Sequence, residues 1–124
     1  MMKVVIDTDP GTDDALALMM ALNSPDLEVQ GLTTVGGNAT LAHTTRNALR
    51  VLEYMGRSDI PVFRGASRPL RGSFRYGYYF HGPAGLTTRL PLPRSEPGPL
   101  PASEYIARVA ESLAGELVVI ALGP

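Results

Sequence analysis

The sequence predicts an α/β fold: an open, mainly parallel sheet with helices on both faces. Three observations carry that prediction. Short β-branched apolar runs alternate with longer helix-forming stretches from one end of the chain to the other. The runs are continuously apolar, as in "KVVI", which suits strands buried on both faces. The first run ends in an Asp, Pro and Gly cluster that leads straight into a helical pattern, the junction at which open α/β sheets bind their ligands.

Taken in order, residues 3–6 form a short buried strand that ends near Asp7, closed by the turn "DPG". A helix follows from Thr12 to about Asn23, rich in Ala, Leu and Met, with Thr12 as the candidate N-cap and two acids in its first turn. Leu27 to Val35, "LEVQGLTTV", reads as the second strand. The second helix is "LAHTTRNALRVLEYMG", with Leu41, Thr45, Ala48, Leu49, Leu52 and Met55 on one face and Gly56 as its stop. "IPVFRG" is a short third strand, and "SEYIARVAESLAG" is a helix leading into a fourth strand in "ELVVIALGP". Between residues 65 and 102 the pattern changes. Seven of the 11 prolines, three of the five tyrosines, five of the ten arginines and His81 lie there, with neither helical nor strand period. That segment is expected to be a long loop or lid, continued by a Pro-rich connector in "LPLPRSEPGPLP".

Length and composition exclude several classes. With 124 residues the chain fits one domain, 1–124, large enough to bury a core. A net charge of -1 gives no electrostatic reason to expect nucleic acid. Cysteine is absent, which removes disulfides, thiolate catalysis and thiolate metal sites and makes cytoplasmic the expected location. "MMKVVIDTDPG" is neither a signal peptide nor a membrane span, so no membrane partner is expected.

The chemistry is concentrated in "DTDPGTDD", which places Asp7, Asp9, Asp13 and Asp14 within eight positions. Carboxylates this close repel one another unless a cation or hydrogen bonds compensate. Oxygen ligands suit calcium or magnesium, and two histidines with no cysteine argue against zinc. Asp13 and Asp14 are adjacent on a helix, so their side chains diverge by roughly 100°: one is expected to face a metal and the other a bound ligand. The competing explanation is that the aspartates cap the helix and favour its positive end. An aspartate nucleophile of the haloacid dehalogenase type, in a phosphotransfer enzyme, also uses a strand followed by Asp-x-Asp. It needs a lysine at the phosphate, however, and the single lysine, Lys3, precedes the strand.

Together, "DTDPGTDDALAL" after "VVI", "GLTTVGGNAT", "FHGPAGL" and "VVIALGP" resemble the signature segments of the inosine-uridine preferring nucleoside hydrolase family, along the whole chain. The resemblance implies a Rossmann-like sheet and calcium-dependent hydrolysis of the N-glycosidic bond of a ribonucleoside. It implies Asp9 as calcium ligand and acceptor of the attacking water's proton, and Asp14 as a second calcium ligand. Asp13 would bind the ribose hydroxyls, Asn38 would orient water or sugar, and Asp7 would support the cluster. Leu122 would offer its backbone carbonyl to calcium, and His81 would stand near the base or ribose. Two local alternatives accompany it: Asn38, after two glycines, as a turn residue, and His81 as a locally packed ring. Family members run on for a longer C-terminal portion with a further aspartate ligand, so the sheet is expected to be truncated on its C-terminal side. The alternative function is then a catalytically inactive metal- or ribose-binding fragment or subunit. A complete protein of this kind is expected to be a homo-oligomer, dimer or tetramer.

Overall fold

A computed structural model describes residues 1–86 and 90–124. Four parallel strands, β1 (Met2–Thr8), β2 (Leu27–Thr34), β3 (Val62–Arg64) and β4 (Leu117–Ala121), form one sheet in the order β3-β2-β1-β4. Helices α1 (Thr12–Asn23) and α2 (Leu41–Tyr54) connect β1 to β2 and β2 to β3. A single turn, α3 (Tyr78–His81), and α4 (Ala102–Ser112) lie between β3 and β4.

Strand alternation divides the core between the two faces. Val4, Ile6, Val29 and Leu32 pack with Ala15 and Leu18 of α1 and Ala48, Leu49, Val51 and Leu52 of α2. Val5 and Phe63 pack on the opposite face with Ala102 and Tyr105 of α4. Each fully buried Val, Leu or Ile contributes about 1.5–3 kcal/mol through area removed from water. The sheet therefore has helices on both faces, as expected. Tyr105 reaches it because Gly31 has no side chain; a Cβ there would collide with the phenol ring. The β1–β2 register slips by one residue between Val4 and Val5, opposite Gln30.

The helices begin and end for local reasons. Thr40 caps α2, its side chain accepting the His43 N–H at 3.4 Å, and Gly56 follows α2 with φ 67, the left-handed stop read from the sequence. At α1 the expected cap is corrected: Gly11 is the N-cap, without a side-chain bond, and Thr12 is already the first helical residue. The 65–102 segment, read as a long loop, contains one helical turn among its described residues, α3. Its residues 87–89 lie outside the described residues. Among the described residues no helix is long and apolar enough to cross a membrane.

The strand order reverses direction between β1 and β4, because β2 and β3 extend to one side of β1 and β4 pairs on the other. This is the switch point at which a crevice opens beyond the carboxyl ends of parallel strands. Asp9 stands there.

Candidate active site

The aspartate-rich turn is divided by the pleat of β1. Thr8 points towards α1, and its hydroxyl donates to Asp14 Oδ2 at 2.9 Å. Asp7 points to the other face, where its Oδ1 accepts the hydroxyl of Thr33, its register partner on β2, at 2.7 Å. Asp9, past the strand end, is 5% exposed and faces the β2–α2 turn. Its Oδ2 accepts the Asn38 N–H at 2.8 Å, while the Asn38 side-chain amide donates to the Asp9 carbonyl at 3.0 Å. Gly37 permits this approach, since a Cβ there would overlap Asp9 Oδ2. Asn38 is thus a turn residue and a ligand of Asp9 at once.

Asp9 and Asp14 also meet each other. Burial pushes the Asp9 carboxyl up, against the Asn38 N–H and the contact with Asp14, which pull it down. Burial likewise pushes Asp14 up to about 6, against the Thr8 hydroxyl, with the nearby Asp9 and Asp13 raising it further. A buried Asp9 and a partly buried Asp14, in contact with each other, make one site. Asp13 is exposed beside it. The structure therefore brings together Asp9, Asp14, Asp13 and Asn38, and does not bring Asp7 to them.

Leu122 continues the β1–β4 ladder by donating its N–H to the Asp7 carbonyl at 2.8 Å, which sets the end of β4 beside the β1 turn. His81 is buried, and its Nδ1 accepts the Thr12 N–H at 3.1 Å, so it meets α1 itself. His43 pairs with the Tyr78 hydroxyl at 2.6 Å, a packing role. Tyr79 and Phe80 are 93% and 69% exposed, leaving two aromatic faces open next to the site. Lys3 sits at the far end of β1, about 20 Å from Asp9 at 3.3 Å per residue. No lysine therefore serves a phosphate at this turn.

Several residues here were not singled out from the sequence. Thr8 and Thr33 anchor two of the aspartates. Asn47, fully buried, donates to the carbonyls of Pro10 at 3.3 Å and Ala84 at 2.9 Å, tying the aspartate turn to the loop. An open cavity of about 370 Å³ is lined by Asp9, Asn38, Arg71, Ser73, Phe74 and Arg75, among others, so two arginines border the space beside Asp9. The clue for Asn47 was a polar residue on the buried face of a helix.

The donor set fits a hard cation in kind: two carboxylates that repel one another, surrounded by oxygen and with no sulfur. It is small, because no three His, Cys, Asp or Glu side chains among the described residues form a group that could hold a metal. Main-chain oxygen, water and substrate hydroxyls would complete a calcium shell of six to eight ligands.

Residues 4–124 match the family model described as inosine-uridine preferring nucleoside hydrolase. Uridine nucleosidase 1 of Arabidopsis thaliana is 44% identical over 124 residues, covering 98% of this chain and 37% of that protein. The pyrimidine-specific ribonucleoside hydrolase RihA of Photobacterium profundum is 41% identical over 122 residues, covering 98% of this chain and 39% of that protein. Among solved structures, the plant nucleoside hydrolase PpNRh1 superposes with a TM-score of 0.93 at 44% identity, over 99% of this chain and 40% of that one. The purine-preferring ribonucleoside hydrolase from Gardnerella vaginalis gives 0.92 at 29% identity, over 98% and 40%. The chain spans about 40% of the length of these relatives.

Proposed function

We propose, from the premise that this chain belongs to the inosine-uridine preferring nucleoside hydrolase family, that its carboxylate turn performs calcium-dependent hydrolysis of ribonucleosides to free base and ribose. The observation that carries the proposal is the Asp9–Asp14 pair: two carboxyls held at raised pKa at the switch point of the sheet, with Asp9 lining an open cavity. Perturbed groups of this kind in a cleft mark working sites.

Asp9 and Asp14 would hold the calcium ion. Bound there, it supplies charge that keeps both carboxylates ionised and lowers the pKa of water. Asp9 accepts the proton of the attacking water, with its Oδ2 steadied by the Asn38 N–H. The water oxygen bonds to C1′ of the ribose as the C1′–N bond breaks through an oxocarbenium-like transition state. The base departs with the electron pair and takes its proton from solvent. Asp13, exposed beside the pair, binds ribose hydroxyls. Asn38 gives one amide N–H to the Asp9 carbonyl and keeps its side-chain oxygen for water or sugar. Uridine is the first substrate to try, because the relatives at 41% and 44% identity carry pyrimidine and uridine names whereas the purine-preferring structure stands at 29%.

The test is release of ribose from uridine and inosine by the purified chain, with and without calcium, beside Asp9→Asn. Calcium-dependent release that falls about 10²–10⁴-fold in the variant is the expected result; release that ignores both would overturn the assignment. A second reading, a metal- or ribose-binding module without turnover, is favoured by the small carboxylate set. Calcium binding by calorimetry with no ribose released would select it. A homodimer or homotetramer and a cytoplasmic location complete the proposal, the first open to light scattering and the second to imaging of a tagged chain.

A further inference from the structure

Helix α1 carries Asp13 and Asp14 in its first turn, yet its N-cap, Gly11, has no side chain to offer the first amides. The missing acceptor comes from 69 residues away, where His81 Nδ1 takes the Thr12 N–H at 3.1 Å. Gly11 is what lets the imidazole in: a Cβ there would stand 2.6 Å from Cε1 and 2.8 Å from each ring nitrogen. The ring is only 6% exposed, so the contact is enclosed.

The segment that delivers His81 is fastened on both sides of the site. The Gly77 N–H donates to the Asn38 carbonyl at 2.6 Å, and the Tyr78 hydroxyl accepts the Thr40 N–H at 3.0 Å. Asn47 joins the Pro10 and Ala84 carbonyls. His81 therefore closes a frame containing the Pro10–Thr12 turn, which presents α1, and the Asn38–Thr40 turn, which holds Asp9.

We infer that His81 is a positioning residue acting through Nδ1: it caps α1 from outside the helix and fixes Asp13 and Asp14 relative to Asp9. The inference rests on reading those carboxylates as the working groups. Accepting at Nδ1 also settles the tautomer, since the proton of a neutral ring must then sit on Nε2. Only Nε2 remains for any contact with a ligand.

Three variants of the 124-residue chain separate the ring nitrogens. His81→Asn places an amide oxygen close to the Nδ1 position, His81→Gln places its amide near Nε2, and His81→Ala removes both. The first readout is hydrogen exchange of the Thr12 amide in the metal-free protein, with the β1 amides as the control for folding. Exchange roughly tenfold faster in the Ala and Gln variants, and near the wild-type rate in Asn, is expected for loss of one such bond. The second readout is the affinity for calcium alone, expected to fall about tenfold or more in Ala and Gln and to recover in Asn, as for other groups that orient metal ligands. Rescue by Gln and not Asn, or Thr12 exchange unchanged in Ala and Gln, overturns the inference. The Asn and Gln variants, alike in polarity, decide the matter even where the alanine variant does not fold. A wild-type chain that binds no calcium counts against the proposed function alone, because the exchange pattern still decides the role of His81.

Discussion

Replacing Asp14 by asparagine should stabilise the metal-free protein. In the folded chain the Asp14 carboxyl titrates at about 6, against an ordinary value of 3.8. Below 3.8 it is protonated folded or unfolded and the difference has no effect. Between 3.8 and 6 the folded state holds more protons, so stability falls as pH rises, and above 6 the full penalty applies. A shift of that size corresponds to about 3 kcal/mol at 1.36 kcal/mol per unit, reduced to about 1–2 kcal/mol because Asp14 is partly exposed and screened by solvent. The Asp14→Asn side chain can keep the Thr8 bond through its oxygen, donate to Asp9 through its nitrogen, and carry no charge. The variant should therefore be about 1–2 kcal/mol more stable at pH 7.5 without metal, a Tm higher by roughly 3–8 °C. The assay is thermal unfolding followed by circular dichroism with a chelator from pH 4 to 8, read as the difference between the two proteins. That difference cancels Glu53 and Asp59, whose carboxyls are lowered by the Arg94 N–H and by Arg57 respectively. Calcium should raise the Tm of the wild type and leave the variant nearly unmoved. A variant no more stable than wild type at pH 7.5, or a difference that does not grow between pH 4 and 7, would refute the reasoning.

Asn47→Leu leaves the Pro10 and Ala84 carbonyls without their buried donor and should cost about 2–4 kcal/mol in urea unfolding, at 1–3 kcal/mol for each orphaned group. Gly11→Ala drives a methyl into the His81 ring. It should weaken calcium binding as His81→Ala does, with the double variant no worse than either alone, since both break one contact. Arg71→Ala with Arg75→Ala should raise KM for uridine about tenfold with kcat nearly unchanged, because both line the cavity beside Asp9 and neither meets the carboxylate pair; a fall in kcat alone would place them in the chemistry.

The strands and helices were legible because their signals are local: β-branched runs closed by Pro and Gly, and Gly56 where a left-handed residue ends α2. Helix α1 runs from Thr12 to Asn23 as read, but its cap falls one residue earlier, at Gly11 rather than Thr12, and the first amide is taken by a distant imidazole. Asp7 was grouped with the other aspartates on proximity, although the two-residue period of a strand already sends it to the face opposite Thr8. The order within the 65–102 segment was not legible. It depends on partners 35 to 69 residues apart, Tyr78 with His43, Asn47 with Ala84, and His81 with Thr12, none of which has a local sequence signature.

The geometry also argues against helix capping as the reason for the Asp9–Asp14 pair. A carboxylate that caps a helix gains hydrogen bonds from first-turn amides and a favourable dipole, and both lower its pKa. Here the cap position is a bare glycine, and the Thr12 amide goes to a histidine. Asp9 takes its amide bond from Asn38, on a different strand-to-helix turn. Asp14, in the first turn of α1, is bonded by a threonine hydroxyl and is still pushed up to about 6 by burial and by its neighbours. Asp9 and Asp14 are thus held together at a cost that helix capping would not incur. Thr8 and Asn38 each fix one carboxylate against the repulsion of the other. Two mutually repelling acids, one of them lining an open cavity, form the arrangement that the proposed cation would stabilise.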